Sequence, residues 1–331
     1  MNPPGSRLVR LALNQASVLL FALVFAGFGV LAPRFLTLVN FSHILLQSAP
    51  TLIVAVGLTF VLLTGGVDLS VGAIMFVGAA LTGRVVLGGA GPLAGLALML
   101  LAGAMVGLGN GILVTRCRLL PFVVTLAVLS IGRGFGLWLT ETRAINLPPE
   151  FLQFGAARVA GVPVPVLLAL GVLTLAALIL AQTAFGRQLY AVGHNAEAAR
   201  RAGINSRRIL LVAYTLCGLC AGLGGFVSLS QLGAVSPKFG ENYEFKGIAA
   251  AVLGGTSLYG GRGRIFPGAF LGATLIQAVE NGLVILNTDP YLYPLITSAI
   301  IFLAVLVDTT RARLLASRNR RVILIPTAQP E

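Results

Sequence analysis

Charge is what this chain has least of. Only 10% of its 331 residues are Asp, Glu, Lys or Arg, against 57% hydrophobic, and mean hydropathy is +0.94. No soluble domain of this size has that balance, whereas a polytopic helical membrane protein does. Cysteine is scarce as well. Cys117, Cys217 and Cys220 make no disulfide framework, and the C-x-x-C of the last two lies in an apolar helix, where small packing residues are expected. His194 has no second ligand spaced with it, so no metal site is expected. The chain has no H-E-x-x-H, G-x-S-x-G or paired-acid constellation, so a membrane-embedded enzyme has no catalytic residues to work with. It has no G-x-x-x-x-G-K-[ST] pattern, so no ATP hydrolysis of its own is expected. Zinc-finger, helix-turn-helix and RNP-like signatures are missing too, which excludes the usual nucleic-acid readers. Short alternating segments are absent, which excludes an outer-membrane barrel.

What is present is a series of apolar runs near the 20 residues a membrane crossing needs. They predict ten spans, all α-helical: Ser17–Leu31, His43–Thr64, Leu69–Leu87, Pro92–Val114, Pro121–Thr140, Pro163–Thr183, Ile209–Ser230, Phe245–Leu258, Phe266–Leu286 and Tyr291–Val307. The whole chain then forms one membrane domain. Residues 1–16 and a basic tail, 308–331, flank a bundle over 17–307. Lys and Arg outnumber Asp and Glu 23 to 10, for a net charge of +13. With ten spans Arg7, Arg10, Arg116, Arg118, Arg187, Arg200, Arg201, Arg207, Arg208, Arg262, Arg264 and the tail arginines share one side. By the positive-inside rule that side is the cytoplasm, with both termini in it.

The stretch Gly65-Gly66-Val67-Asp68-Leu69-Ser70-Val71-Gly72 lies between two of these runs. Two glycines allow a tight turn, and an Asp directly before an apolar helix is a good N-cap. One reading is a helix end, a turn, and a second helix capped by Asp68. The other is a broken-helix element lining a solute path, where irregular backbone is tolerated at membrane depth. Pro50 interrupts the preceding span and is expected to kink it. Gln47, Ser48, Thr51, Thr59 and Thr64 along it suit either interhelix packing or a wet lining. Gly103, Gly107 and Gly111, like Gly218 and Gly222 and like Gly268 and Gly272, are four apart, the spacing of close helix contact. Asn110, inside a span, must find another helix or a polar solute. Glu280, followed by Asn281, is an acid in the outer half of a span. It either snorkels outward or has a function.

Pro148 to Pro165 reads as a surface loop, with the option of meeting an external partner. Between the sixth and seventh spans, a segment over 186–208 contains Asn195 as a plausible N-cap for an Ala-rich helix over Ala196–Ala202, with Gly203 at its stop position. Such a short exposed helix is the right size to dock in another protein's groove. Gly254-Gly255-Thr256-Ser257-Leu258-Tyr259-Gly260-Gly261 separates two spans and is no phosphate loop.

Four of these motifs, in this order, resemble the permease subunits of bacterial ABC importers of the ribose class. They are the Gly65–Gly72 turn; Asn110-Gly111-Ile112-Leu113-Val114 with Pro121-Phe122-Val123-Val124-Thr125-Leu126; Tyr190-Ala191-Val192-Gly193-His194-Asn195 with Ala198-Ala199-Arg200 and Gly203-Ile204; and Ala249 to Gly261. The resemblance spans about Phe35 to Val307. Glu280 departs from it, standing where an uncharged residue is usual, and Glu244 precedes Phe245 where Leu-Asp or Leu-Glu is common. The resemblance implies two permease copies or paralogues in a lipid bilayer, the bacterial inner membrane. It also implies a periplasmic sugar-binding protein and an ATPase pair that binds the ATP, with no cofactor on this chain. The solute is a monosaccharide such as ribose or galactofuranose. Candidate path residues are Gln47, Thr59, Gly65, Gly66, Asp68, Ser70, Gly72, Asn110, Thr125, Glu280 and Asn281. The segment contacting the ATPase carries Arg187, Tyr190, Gly193, Asn195, Glu197, Ala199, Arg200 and Gly203. Arg143, Arg158, Glu241 and Glu244 are candidates to meet the binding protein. The rival expectation is an ion-coupled secondary transporter of a small polar solute, which needs acids within spans. Only Asp68 and Glu280 qualify.

Overall fold

A computed structural model describes residues 16–299 together with 302 and 306. The expected N-terminal segment, the basic tail and most of the tenth span fall outside the described residues. Within them the chain is helical: α1 (Ala16–Leu31), α2 (Leu38–Leu63), α3 (Val71–Leu87), α4 (Pro92–Thr115), α5 (Pro121–Thr140), α6 (Pro149–Ala156), α7 (Val164–Gln182), α8 (Ala184–His194), α9 (Ala196–Arg201), α10 (Ser206–Leu232), α11 (Tyr243–Leu253) and α12 (Phe270–Ile285). Two short antiparallel pairs join Ile145–Asn146 to Ala234–Val235 and Arg158–Val159 to Val162–Pro163.

Six helical segments among the described residues are long and apolar enough to cross a membrane, and α1 and α3 are shorter apolar helices. The chain is therefore a multi-pass membrane protein. The eighth expected span is corrected. The helix there, α11, ends at Leu253 and has 11 residues, about 16 Å at 1.5 Å per residue, or half a hydrocarbon core. Its stop is chemical. Gly255 takes a φ of +91°, and the Gly255 and Thr256 N–H groups donate to Val252 and Ala251, a Schellman end. The same device closes α2, where Gly65 takes a φ of +80° and the Gly65 and Gly66 N–H groups donate to Leu62 and Val61.

α2 is the central post, buried almost continuously from Ser48 to Leu63. It runs unbroken through Pro50. Proline cannot donate to the carbonyl four residues back, and that carbonyl, on Leu46, instead accepts from the Gln231 side-chain amide at 2.9 Å. The expected close helix contact is realised between α4 and α10. A Cβ on Gly103 would collide with the Gly218 carbonyl, and one on Gly107 with the Tyr214 carbonyl. The two helices touch backbone to backbone, as small residues permit in membranes.

The expected loop over Pro148–Pro165 is folded. Pro149 starts α6, Phe151 is completely buried and rests on Phe226 with ring centroids 5.3 Å apart, and Ala160 and Gly161, both at positive φ, turn a hairpin.

Candidate functional site

Two regions at opposite ends of α2 carry the polar chemistry. Gln47 and Leu63 mark them, about 24 Å apart along the helix at 1.5 Å per residue.

At the Leu63 end three glycine-rich motifs, far apart in sequence, meet. α8 lies across them. Sequence reasoning took residues 186–195 as a loop and missed this helix. The apolar pattern was there to find: Leu189 and Val192 are buried, and the Thr183 hydroxyl accepts from the Gly186 N–H at 3.2 Å as an N-cap. Gly193 sits against the Leu63 carbonyl and the Gly261 nitrogen so closely that a Cβ would collide with both. The Gly261 N–H donates to that same Leu63 carbonyl at 2.9 Å, and the Tyr190 hydroxyl donates to the Gly263 carbonyl at 2.8 Å. A Cβ on Gly260 would lie 2.7 Å from the Gly65 nitrogen. A push on α8 therefore reaches the ends of α2 and of the loop after α11 through hard backbone contact.

The expected cap of α9 is observed: Asn195 Oδ1 accepts from the Ala198 N–H at 3.0 Å, and Gly203 takes a φ of +82°. Ala199 is buried. Glu197 pairs with Arg200 at 2.9 Å and Arg201 at 3.3 Å, all three exposed. The bonds to Arg200 hold the Glu197 carboxyl below the ordinary carboxylate range. Arg187 reaches back only to the Gln182 carbonyl, at 3.5 Å.

Beside this platform, Asp68 is corrected as an N-cap. Ser70 occupies the cap position of α3. Asp68 Oδ1 accepts from the Ser70 N–H at 2.9 Å and from its hydroxyl at 2.6 Å, an Asx turn. Asn110 Nδ2 donates to the Ser70 hydroxyl at 2.8 Å, and the Tyr214 hydroxyl donates to the Val67 carbonyl at 3.3 Å. Gly66 packs against Tyr214, with room for no Cβ. Asp68, Ser70 and Asn110 are all sealed from solvent. Thr59 and Thr125 are sealed too, their hydroxyls donating to the Ala55 and Pro121 carbonyls. These expected path residues form a buried, hydrogen-bonded joint where α2, α3, α4 and α10 meet.

At the Gln47 end lies a cavity of about 770 Å³, walled by α2, α11, α12 and the segment after Pro290. Gln47, Glu280 and Asn281, also expected path residues, do line it. Gln277 donates to Gln47 at 3.0 Å, Asn40 donates to Asn281 at 2.9 Å, and Lys246 pairs with Glu280 at 2.6 Å. Among the described residues, the hydroxyl of Thr297, a buried wall residue, has no hydrogen-bond partner. Phe245 and Tyr293 add aromatic faces. Sequence reasoning had placed Phe245 only as the start of the eighth expected span, and it missed Lys246, Gln277, Tyr293 and Thr297 as wall residues. Lys246, a cation inside one expected span when the next carries Glu280, was the available signal.

Glu244, expected at the surface, is buried instead, because the face of α11 that carries it packs on α3. Its carboxylate touches Gly72, where a Cβ would collide with it. Arg133 completes that cluster. It donates to the Phe239 carbonyl at 2.7 Å, stands over the Phe76 ring at 5.5 Å, and feels the charges of Glu244 and Glu241. Arg143 and Arg158 are exposed, and Arg158 donates to the Gly161 carbonyl of its own hairpin at 3.1 Å.

A family model described as the permease component of the branched-chain amino acid transport system matches residues 40–307. The chain belongs to this permease family. The permease is 37% identical over 305 residues to the ribose import permease protein of Escherichia coli, covering 90% of this chain and 94% of that one. It is 37% identical over 292 residues to the D-allose transport system permease protein of the same organism, covering 87% and 89%. With that organism's galactofuranose transporter permease protein, identity is 34% over 270 residues, covering 81% and 79%. No solved structure matches the permease. As a transport-system permease component it is not an enzyme. Its three conspicuous motifs are the ones that meet around Gly65, Gly193 and Gly261.

Proposed function

We propose that this permease is the membrane subunit of an ATP-driven importer that carries a neutral monosaccharide inward across the bacterial inner membrane by alternating access. The observation that carries the choice of solute is the cavity wall. Amides and hydroxyls of Gln47, Gln277, Asn281 and Ser298 supply hydrogen-bond partners, and Phe245 and Tyr293 supply apolar faces. That is the chemistry of a sugar ring, many hydroxyls on an otherwise apolar frame. A zwitterionic amino acid, which the family description evokes, needs an unpaired cation as well as an anion, whereas Lys246, the one cation among the described wall residues, is already paired with Glu280. The relatives for ribose, allose and galactofuranose agree with the sugar reading.

In this proposal the basic end, with Arg187, Arg200, Arg201, Arg262 and Arg264, faces the cytoplasm. The ten-span topology with both termini inside is retained, with α11 contributing a half-length piece and Ile265–Ile285 a full-length one. α8 and α9 meet the ATPase pair, which binds all the nucleotide; the permease binds no cofactor. Closure of that pair drives α8 against Leu63 and Gly261, and the rigid joint at Asp68 moves with α2. A periplasmic binding protein delivers the sugar near Glu241, Arg143 and Arg158, and a second permease copy or paralogue completes the path.

Competition tests the solute. In cells expressing the permease with its ATPase and binding protein, uptake of labelled ribose should be inhibited by other neutral monosaccharides and not by leucine or valine. Inhibition by the amino acids alone would overturn the reading.

A further inference from the structure

The charges in the cavity are arranged in a way that the transport role alone does not require. Lys246, at the start of α11, and Glu280, on α12, lie 2.6 Å apart with about a quarter of each side chain exposed to the cavity, 31% and 23%. The Tyr243 ring faces the Lys246 ammonium at 6.0 Å. Among the described residues the other charged wall residue is Glu241, which is exposed and whose charge acts on Arg133 together with that of Glu244. Apart from it, the described wall offers one cation and one anion in contact. A contact pair presents a dipole, whose field fades faster than that of a single charge. A charged solute entering here would lose hydration and find no free counter-charge.

We propose that the Lys246–Glu280 pair is a charge filter, admitting neutral polyhydroxylated solutes and excluding anionic sugar derivatives, such as uronates and sugar phosphates, and cationic amino sugars. The inference rests on the cavity being the solute path. Breaking the pair from either side converts the filter to a trap of one sign: Glu280→Gln leaves the Lys246 cation, and Lys246→Gln leaves the Glu280 anion. One bare unit charge about 5 Å away, at effective dielectric values between those of a protein surface and water, changes the local concentration of a charged reagent by roughly tenfold.

Thiol modification reads this without a transport assay. Gln277→Cys, one helical turn before Glu280, is introduced into Cys117→Ser, which removes the exposed native thiol. Rates with neutral, anionic and cationic methanethiosulfonate reagents of similar size are measured on the full-length permease in nanodiscs. Modification of the introduced thiol should proceed with the neutral reagent, both charged reagents should be slowed against it relative to their rates in free solution, and the anionic-to-cationic rate ratio should be near that in free solution. Glu280→Gln should raise the ratio roughly a hundredfold and Lys246→Gln lower it roughly a hundredfold, tenfold from each charged reagent. The Lys246→Gln/Glu280→Gln double variant should restore it, which separates charge from misfolding. A ratio equal in all four proteins, or no reaction with the neutral reagent, overturns the filter. If the ratio does not move while neutral sugar uptake persists, the filter fails and the transport reading stands. If the ratio moves as stated and sugar uptake is absent, the transport reading fails and the charge-balanced cavity stands.

Discussion

Replacing Gly193 by Ala adds one methyl group at the point where α8 bears on the two glycine turns. That methyl would overlap the Leu63 carbonyl oxygen and lie 2.6 Å from the Gly261 nitrogen. Both are backbone atoms, so neither yields by a rotamer change. Overpacking of this kind costs about 1–3 kcal/mol, and prising apart the Gly261–Leu63 hydrogen bond adds about 1 kcal/mol. The docking of α8 should weaken by about 2–4 kcal/mol in all, or roughly 30- to 1,000-fold in the population of the undocked state. Amide hydrogen exchange over 184–204 is the assay, since it reports local opening. Exchange there should accelerate by that factor while α2, α4 and α10 keep their protection. Sugar uptake by the assembled importer should fall to background, with ATP hydrolysis no longer responding to the binding protein. Gly109→Ala is the control: no atom lies within 4 Å of a Cβ at that site, and both exchange and uptake should stay as they are. If Gly193→Ala exchanges and transports like the parent, α8 does not transmit force through this contact.

Other outcomes are equally specific. Gln231→Leu should destabilise the bundle by about 1 kcal/mol by stranding the Leu46 carbonyl. In Pro50→Ala, where the helix can satisfy that carbonyl itself, the same change should cost less, and a thermal double-mutant cycle measures the coupling. Asp68→Asn keeps an oxygen for the Ser70 N–H and should fold, whereas Asp68→Leu should lose about 2 kcal/mol or more and fail to accumulate in the membrane. Glu197 has its carboxyl held below the ordinary range by Arg200. The support it gives α9 should therefore be complete above the ordinary carboxylate value and vanish as pH falls through the lowered one. An NMR titration should show Arg200→Ala raising that midpoint. Cys117, the exposed cysteine at the basic end, should react with an impermeant thiol reagent only from the cytoplasmic side. Labelling from outside would invert the topology.

Local devices were legible because they are written in adjacent residues. Gly65 after an apolar run announces a helix end, and Asn195 followed by Ala196-Glu197-Ala198 announces a cap. Glycines four residues apart announced close helix contact, though not that α4 and α10 make it. Three features were not legible, each for a physical reason. α8 carries its apolar residues on one face only, so in a short stretch beside arginines it read as loop. α11 lies in a run that reads as a full span and is stopped at Leu253, where Gly255 takes a positive φ. Most of all, partners lie far apart in the chain: Gln277 meets Gln47 and Asn281 meets Asn40 across more than 200 residues, and Glu280 meets Lys246 from another helix, an arrangement no local pattern states. Asp68 shows the same limit. Its position at a turn was evident, but its complete burial depends on Asn110 and Tyr214.

The most direct test of the account is uphill uptake into proteoliposomes. The permease reconstituted alone, with labelled ribose outside and any proton or sodium gradient imposed, should accumulate nothing. Adding the ATPase subunits, binding protein and ATP should concentrate the sugar inside. Accumulation by the permease alone, collapsing with an uncoupler, would contradict it.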